Sequence, residues 1–217
     1  MRGEPGSGKT TLARWYAARI GDFFYKVAND KEDWIIAKDG GIVILDEIHR
    51  LKECEPLYPL LDKGALILIG CTTEGNPIHP ALVRRMREIR LDPYTENDLI
   101  KIVQNNYPSL TTVSSVEIAR RAVSNPANAL RIAKLVDMVG LKSAFDMMGI
   151  DEDGLDGLER RYLTYIGNNQ PVSLTTLSAV FNVTKDMALE IERNLIKLGK
   201  IEITSRGRSI TNEVYTV

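Results

Sequence analysis

The chain has 217 residues, 44% hydrophobic and 26% charged, with 28 Lys+Arg against 29 Asp+Glu and a formal net charge of −1. That length holds one large domain with one or two small ones, and the composition excludes wholesale disorder. The longest apolar run, Ala65–Cys71, is about a third of a bilayer span, and no apolar leader follows the first basic residue. Two cysteines, Cys54 and Cys71, cannot build a disulfide framework and read as reduced, buried thiols of a cytoplasmic protein with no membrane segment.

The chain opens on Gly3-Glu-Pro-Gly-Ser-Gly-Lys-Thr10, which matches G-x-x-x-x-G-K-[ST] and runs into a helical stretch, Thr10–Ile20. Such a loop turns backbone N–H groups inward around a triphosphate, here from Gly3, Glu4, Gly6, Ser7 and Gly8, with Pro5 part of the same loop but carrying no N–H. Lys9 reaches the β- and γ-phosphates and Thr10 offers its hydroxyl to Mg²⁺. Thr11 follows in the first turn of a helix whose positive end faces the anion. The bland alternative is a glycine-rich surface turn.

Short, almost uninterrupted apolar runs follow at Phe23–Val27, Ile42–Leu45 and Ala65–Gly70, as strands buried on both faces should show. Lys31–Lys38 and Cys54–Leu61 are long enough for crossover helices, so the pattern is α/β with a parallel sheet. The run Ile42-Val-Ile-Leu-Asp-Glu47 delivers two acids at a strand's carboxyl end, where ligands sit in open α/β sheets. Asp46 suits a Mg²⁺ shell, and Glu47 can polarise a water for in-line attack on a γ-phosphate. Alone, the pair would pass for a solvated strand edge. His49 and His79 have no further ligands at zinc spacing, and His49 reads as structural.

After Pro93 the strands stop. Thr95-Glu-Asn-Asp98 and Ser114-Ser-Val-Glu117 both have capping-box spacing, and Asn125-Pro126 starts a third helix with Ala129, Ala133 and Val136 on one face. Leu155, Leu158, Tyr162 and Ile166 mark a further helix, Leu174, Leu177 and Phe181 another. After a turn at Asn182-Val-Thr-Lys185, Met187, Ile191, Leu195 and Leu198 line a last helix that stops at Gly199. Lys200–Thr204 and Ser209–Val217 then pair around Ser205-Arg-Gly-Arg208, the outline of a winged helix-turn-helix. The expected domains are 1–92, a nucleotide-binding core; 93–149, a helical lid; and 150–217, a winged helix.

Charge supports a polyanion partner only mildly. Asp151–Glu159 holds five acids, and beyond Glu159 there are eight basic residues to five acidic. On the winged helix, Lys185, Arg193 and Lys197 are candidates for the exposed face of the last helix. Gly207 between Arg206 and Arg208 is expected to turn both guanidinium groups outward toward DNA phosphates or a minor groove. Glu190 and Glu192 argue against groove reading and for sequence-indifferent backbone contact. A winged helix used for protein contacts is the alternative.

Gly-Ser-Gly-Lys-Thr-Thr-Leu-Ala13, Leu-Asp-Glu-Ile-His-Arg-Leu51, Ile-Gly-Cys-Thr-Thr73 and His-Pro-Ala-Leu-Val-Arg-Arg85 together resemble the AAA+ ATPases in order and spacing. Asp-Glu-Ile-His-Arg-Leu51 with the segment from Leu155 to Thr211 is similar to RuvB, the bacterial Holliday-junction branch-migration family. The resemblance implies an α/β P-loop core with a helical lid and a winged helix, ATP and Mg²⁺ as cofactors, and a ring, commonly a hexamer, acting on branched or duplex DNA. It implies a sensor role for Thr73, and an arginine finger from Arg84 or Arg85, with Arg85 at the better spacing. A guanidinium suits the spread charge of phosphoryl transfer.

Three departures accompany the resemblance. Only Met1 and Arg2 precede the P-loop, so the strand expected to lead into it is taken as missing, from a truncated core. The gap from Leu51 to Ala65 leaves no room for the hairpin by which RuvB docks on RuvA, which argues against a RuvA-like partner. Leu61–Pro77 there looks more like the clamp-loader-related RarA ATPases. Ala127 stands where the family's second sensor arginine is expected, with Arg131 one turn on. The expected function is an ATP-driven DNA motor in recombination or repair. The alternatives are a RarA-like fork remodeller and a winged-helix DNA adaptor without turnover.

Overall fold

The computed structural model describes residues 1–28, 41–73 and 75–211 and divides into two compact units, Met1–Tyr94 and Thr95–Val217. In the first unit β2 (Phe23–Val27), β3 (Gly41–Asp46) and β4 (Leu66–Gly70) form a parallel sheet in that order, with Val27 opposite Asp46 and Leu45 opposite Gly70. The anticipated crossover helix at Lys31–Lys38 lies outside the described residues.

Among the described strands of this sheet only β3 is buried on both faces, and its sequence explains why. Ile42 and Ile44 pack against Ala13 and Ala17 of α1 (Lys9–Ile20), whose small side chains let the helix approach the sheet closely. Val43 and Leu45 face Ile48, Leu51, Cys54, Leu57, Leu66 and Leu82 on the other side. Each such side chain contributes about 1.5–3 kcal/mol by leaving water. The expectation of two-sided burial fails for β2 and β4, where Phe24 is 61% and Ile67 44% exposed. The anticipated helix at Cys54–Leu61 is also only partial. It comprises a 3₁₀ turn at Glu55–Leu57 and the five-residue α2 (Tyr58–Asp62), and no hairpin separates Leu51 from β4.

The strand taken as missing is present in short form. β1 (Arg2–Gly3) pairs in parallel with β5 (Thr72–Thr73), Gly3 opposite Thr73. Thr72 N donates to Met1 O at 3.0 Å, Arg2 N to Ile89 O at 2.8 Å, and Leu91 N to Arg2 O at 2.9 Å. Two residues suffice because ladder bonds on both sides hold the backbone. A 3₁₀ turn, Ile48–Arg50, follows β3, and α3 (Pro80–Val83) is the last helix described in this unit.

The second unit begins with α4 (Glu96–Asn106), where Thr95 and Asp98 form the anticipated capping box. Those hydrogen bonds from Thr95 hold the Asp98 carboxyl below its usual range. α5 (Thr112–Arg121) starts earlier than the Ser114–Glu117 box implied. Thr111 is the cap, accepting from Ser114 N at 3.1 Å, while Ser115 is fully buried and donates to Thr111 O. α6 (Pro126–Val139) is capped by Asn125, as its sequence signals, and buries Ala129, Ile132, Ala133 and Val136. α7 (Leu141–Met148) follows Gly140 with no capping side chain to announce it.

α8 (Gly157–Asn169), α9 (Leu174–Phe181) and α10 (Lys185–Lys197) pack with the hairpin β6 (Ile201–Thr204) and β7 (Gly207–Ile210) around Tyr162, Ile166, Leu177, Ile191 and Leu195. Met187, expected inside, is 45% exposed; Ala188 is buried in its place. The wing turn is tighter than read, because β7 already starts at Gly207, and residues 212–217 of the anticipated second strand lie outside the described residues.

The acidic segment before α8 is tied down. Asp151 Oδ1 accepts from Asp153 N and Leu155 N, Arg121 Nε donates to Asp151 O at 3.0 Å, and Arg160 Nη1 donates to Leu155 O at 2.6 Å. Gly154, at φ 86°, lies so close that a Cβ would sit 2.7 Å from Arg121 O. Gly154→Ala should therefore destabilise the second unit by about 1–3 kcal/mol, measured by urea unfolding; an unchanged midpoint would mean that this turn carries no strain.

Candidate nucleotide site and winged-helix surface

The P-loop leaves β1 at Gly3 and enters α1 at Lys9. Gly6 and Gly8 take φ 74° and 82°, left-handed values that side chains rarely adopt and that turn successive N–H groups inward. No side chain caps α1, so the loop itself faces the helix's positive end. Lys9 is 7% exposed and donates to Gly3 O at 3.1 Å and Glu4 O at 2.6 Å. Burial pushes its ammonium below the ordinary lysine value, against the pull of Glu47 and other anionic neighbours. The Ser7 hydroxyl is buried with no hydrogen-bond partner among the described residues.

The parallel register brings the end of β3 to this loop. Thr10 Oγ1 donates to Asp46 Oδ2 at 2.7 Å, Tyr25 OH to the same oxygen at 3.2 Å, and Glu47 N to Asp46 Oδ1 at 3.1 Å. Glu47 itself holds φ 53°, an uncommon left-handed conformation for this residue type. It persists because Ile48 N donates to Cys71 O and Arg50 N to Glu47 O. His49 Nδ1 lies 3.3 Å from Glu47 Oε2 and 3.0 Å from Thr72 Oγ1. Thr73 Oγ1 accepts from Asn76 Nδ2 at 2.5 Å. Both cysteines are free and buried, and burial raises the Cys71 thiol to about 11.

Arg85 is anchored, donating through Nε and Nη2 to Asp62 at 2.8 and 3.1 Å and through Nη1 to Ala81 O, over the Tyr58 ring. Arg84 is exposed; its backbone N donates to Pro80 O, and its side chain makes no hydrogen bond or ion pair among the described residues. In the second unit, Arg131 Nη2 donates to Asn128 Oδ1, near Ala127.

On the winged helix, Lys185, Arg193, Lys197 and Arg206 are exposed. Arg208 is not, contrary to the expectation that both wing arginines point outward. Its guanidinium donates twice to Glu192, at 2.8 and 3.0 Å, and Tyr162 OH donates to the same carboxylate at 2.9 Å. Glu192 is 1% exposed, so it faces the interior and leaves Glu190 as the exposed acid of the pair. The end of the strand accounts for the split: Arg206 lies in the turn, before β7 begins, while Arg208 is in β7 and bridges to Val172.

The pattern of the RuvB C-terminal winged helix domain matches residues 152–217. The Holliday junction branch migration complex subunit RuvB of Rubrobacter xylanophilus is 31% identical over 266 residues, covering 99% of this chain and 75% of the relative. The chain belongs to the RuvB family. RuvB of Fusobacterium nucleatum is 28% identical over 99% of the chain and 80% of its own length. The solved Thermotoga maritima RuvB Holliday junction branch migration motor superposes with TM-score 0.82 at 27% identity, over 99% of this chain and 84% of that one.

The RuvB architecture of an AAA+ α/β core and a C-terminal winged helix thus stands as read from the motifs. The structure brings together Gly3–Thr10, Asp46 and Glu47, with Thr73 on the strand beside β1. Sequence reasoning missed the Thr72–His49–Glu47 contacts and the Arg208–Glu192–Tyr162 cluster. Neither has a motif, although Glu192, four residues after Ala188 and at a core-facing helical position, was a usable signal for the second. Arg208→Met would leave the Glu192 carboxylate buried without its cation. It should cost about 3–5 kcal/mol, read as a lowered chemical-denaturation midpoint; a wild-type midpoint would remove the cluster's structural role.

Proposed function

We propose that this chain is an ATP-driven motor of the RuvB type that moves branched or duplex DNA during recombination and repair. The observation that carries the reading is the meeting of Thr10, Asp46 and Glu47 at the mouth of a P-loop whose lysine is buried. The donor set fits ATP with Mg²⁺. Thr10 and Asp46 are hard oxygen ligands 2.7 Å apart, enough for a cation that keeps waters and phosphate oxygens in its shell. The Lys9 ammonium, the Ser7 hydroxyl and the inward N–H groups suit the phosphates.

In this reading Gly3–Thr11 bind the phosphates, Lys9 exchanging two backbone carbonyls for phosphate oxygens, and Thr10 with Asp46 orients the metal. Bound Mg²⁺ would neutralise charge on the β- and γ-phosphates. Glu47 polarises the attacking water, and Thr73 holds it or the γ-phosphate. Arg85 is assigned as the finger supplied to a neighbouring subunit of a ring, probed together with Arg84; its Asp62 and Tyr58 contacts fix the direction in which it extends. The ring is proposed to be hexameric and the protein cytoplasmic. The core lacks a hairpin between Leu51 and β4, which supports action without a RuvA-like partner. We assign 1–92 to nucleotide binding, 93–149 to the lid and 150–217 to DNA.

The test is ATP hydrolysis with and without four-way-junction DNA, beside Glu47→Gln. Junction-stimulated turnover that falls at least ~10²-fold in the variant is expected. Absent turnover with intact junction binding would sink the motor and leave a DNA adaptor. On the DNA side, Lys185, Arg193, Lys197 and Arg206 are assigned to phosphate contact. Arg206→Ala should weaken junction binding for all sequences alike and flatten the salt dependence of log K by about one unit. An unchanged salt slope by fluorescence anisotropy would exclude the wing from the interface.

A further inference from the structure

His49 sits between two groups of the nucleotide site, and the contacts define its chemistry. A single ring nitrogen, Nδ1, lies 3.0 Å from Thr72 Oγ1 and 3.3 Å from Glu47 Oε2. A carboxylate only accepts, so a favourable contact with Glu47 requires the proton on Nδ1. Thr72 is consistent with that assignment. Its hydroxyl donates to Thr73 O at 3.4 Å, leaving its lone pairs to accept from the imidazole. Thr72 is 1% exposed and lies in β5, which pairs with the first residues of the P-loop, Gly3 opposite Thr73.

Glu47 needs such a hold. Its backbone is fixed in the left-handed region by Ile48 and Arg50, but the carboxylate lies at the end of three rotatable bonds. Among the described residues the carboxylate's one ion-pair contact is with His49. A base two bonds out of place would cost the geometry that proton abstraction needs.

We propose that His49 is a positioning residue, whose Nδ1–H fixes the Glu47 carboxylate and links it through Thr72 to the strand that carries Thr73. This rests on the reading of Glu47 as the water-polarising acid. It deepens that reading by making the acid's orientation depend on β5, so that a shift of Thr73 is transmitted to Glu47 through one hydrogen-bonded side chain. His49 touches neither nucleotide nor water in this role.

The chain contains two histidines, so imidazole ¹H–¹⁵N spectra of the whole protein are simple, and His79→Gln identifies the other ring. His49 should show the Nδ1–H tautomer, and Thr72→Val should move its signals. An Nε2–H tautomer, or signals indifferent to Thr72→Val, would overturn the proposal. In turnover, His49→Phe should lower kcat at least ~30-fold while the affinity for a slowly hydrolysed ATP analogue stays within about threefold. His49→Asn, whose amide reaches the Nδ1 position, should recover most of the loss. Full kcat in His49→Phe would equally refute the role. A wild-type chain without turnover would defeat the motor reading instead, and the tautomer and its response to Thr72→Val would still decide the contact.

Discussion

The parallel register at the carboxyl ends of the strands in the first unit's two sheets is the constraint from which the candidate site follows. Gly3 lies opposite Thr73, Leu45 opposite Gly70, and Val27 opposite Asp46, so the P-loop, the paired acids and the two threonines emerge at one edge. A slip of one residue along β3 would turn Asp46 and every apolar side chain of that strand to the opposite face. Burial on both faces prevents the slip. Ile42 and Ile44 are committed to α1, Val43 and Leu45 to the cluster around Ile48 and Leu82. The 2.7 Å contact between Thr10 and Asp46 is thus a consequence of core packing as much as of local attraction.

The same edge stores conformational cost where chemistry is expected. Glu47 occupies left-handed backbone space, and Lys9 keeps its ammonium in a buried setting that disfavours charge. Neither arrangement is what an isolated segment would choose. Both are tolerated because neighbouring backbone groups are fully engaged: Ile48 with Cys71, Arg50 with Glu47, and the Lys9 ammonium with two loop carbonyls. An anionic ligand would relieve the second of these directly.

In the winged helix, charge is partitioned by burial. Arg208 serves the interior, clamping Glu192 and, through it, Tyr162, so that β7, α10 and α8 share one polar junction inside an apolar core. Arg206, two residues away, remains at the surface. A second junction about one turn away, Glu159 with Asn194 and the Asp156 backbone, also ties α8 to α10, with burial raising the Glu159 carboxyl above its ordinary range. Basic character counted along the chain therefore overstates what the surface offers to a polyanion.

Much of this was legible in the residues themselves. The P-loop, the acid pair ending β3, the Thr95 and Asn125 caps and the helical spacing of Tyr162, Ile166, Ile191 and Leu195 are local signals, set by backbone sterics, capping and amphipathic periodicity. Signals that need a distant partner were not legible. The start of α5 depended on whether Thr111 or Ser114 would be left in solvent, and burial of Ser115 decided it. That two residues suffice for β1 depended on carbonyls and amides some seventy and ninety positions away in the chain, at Thr72, Ile89 and Leu91. The sequence by itself determined which residues could bind phosphate and metal, because that chemistry is carried by residue type at fixed spacing. Only the tertiary structure decided which arginine of the wing is available and what holds Glu47. Those outcomes turn on desolvation and hydrogen bonding between side chains far apart in the chain.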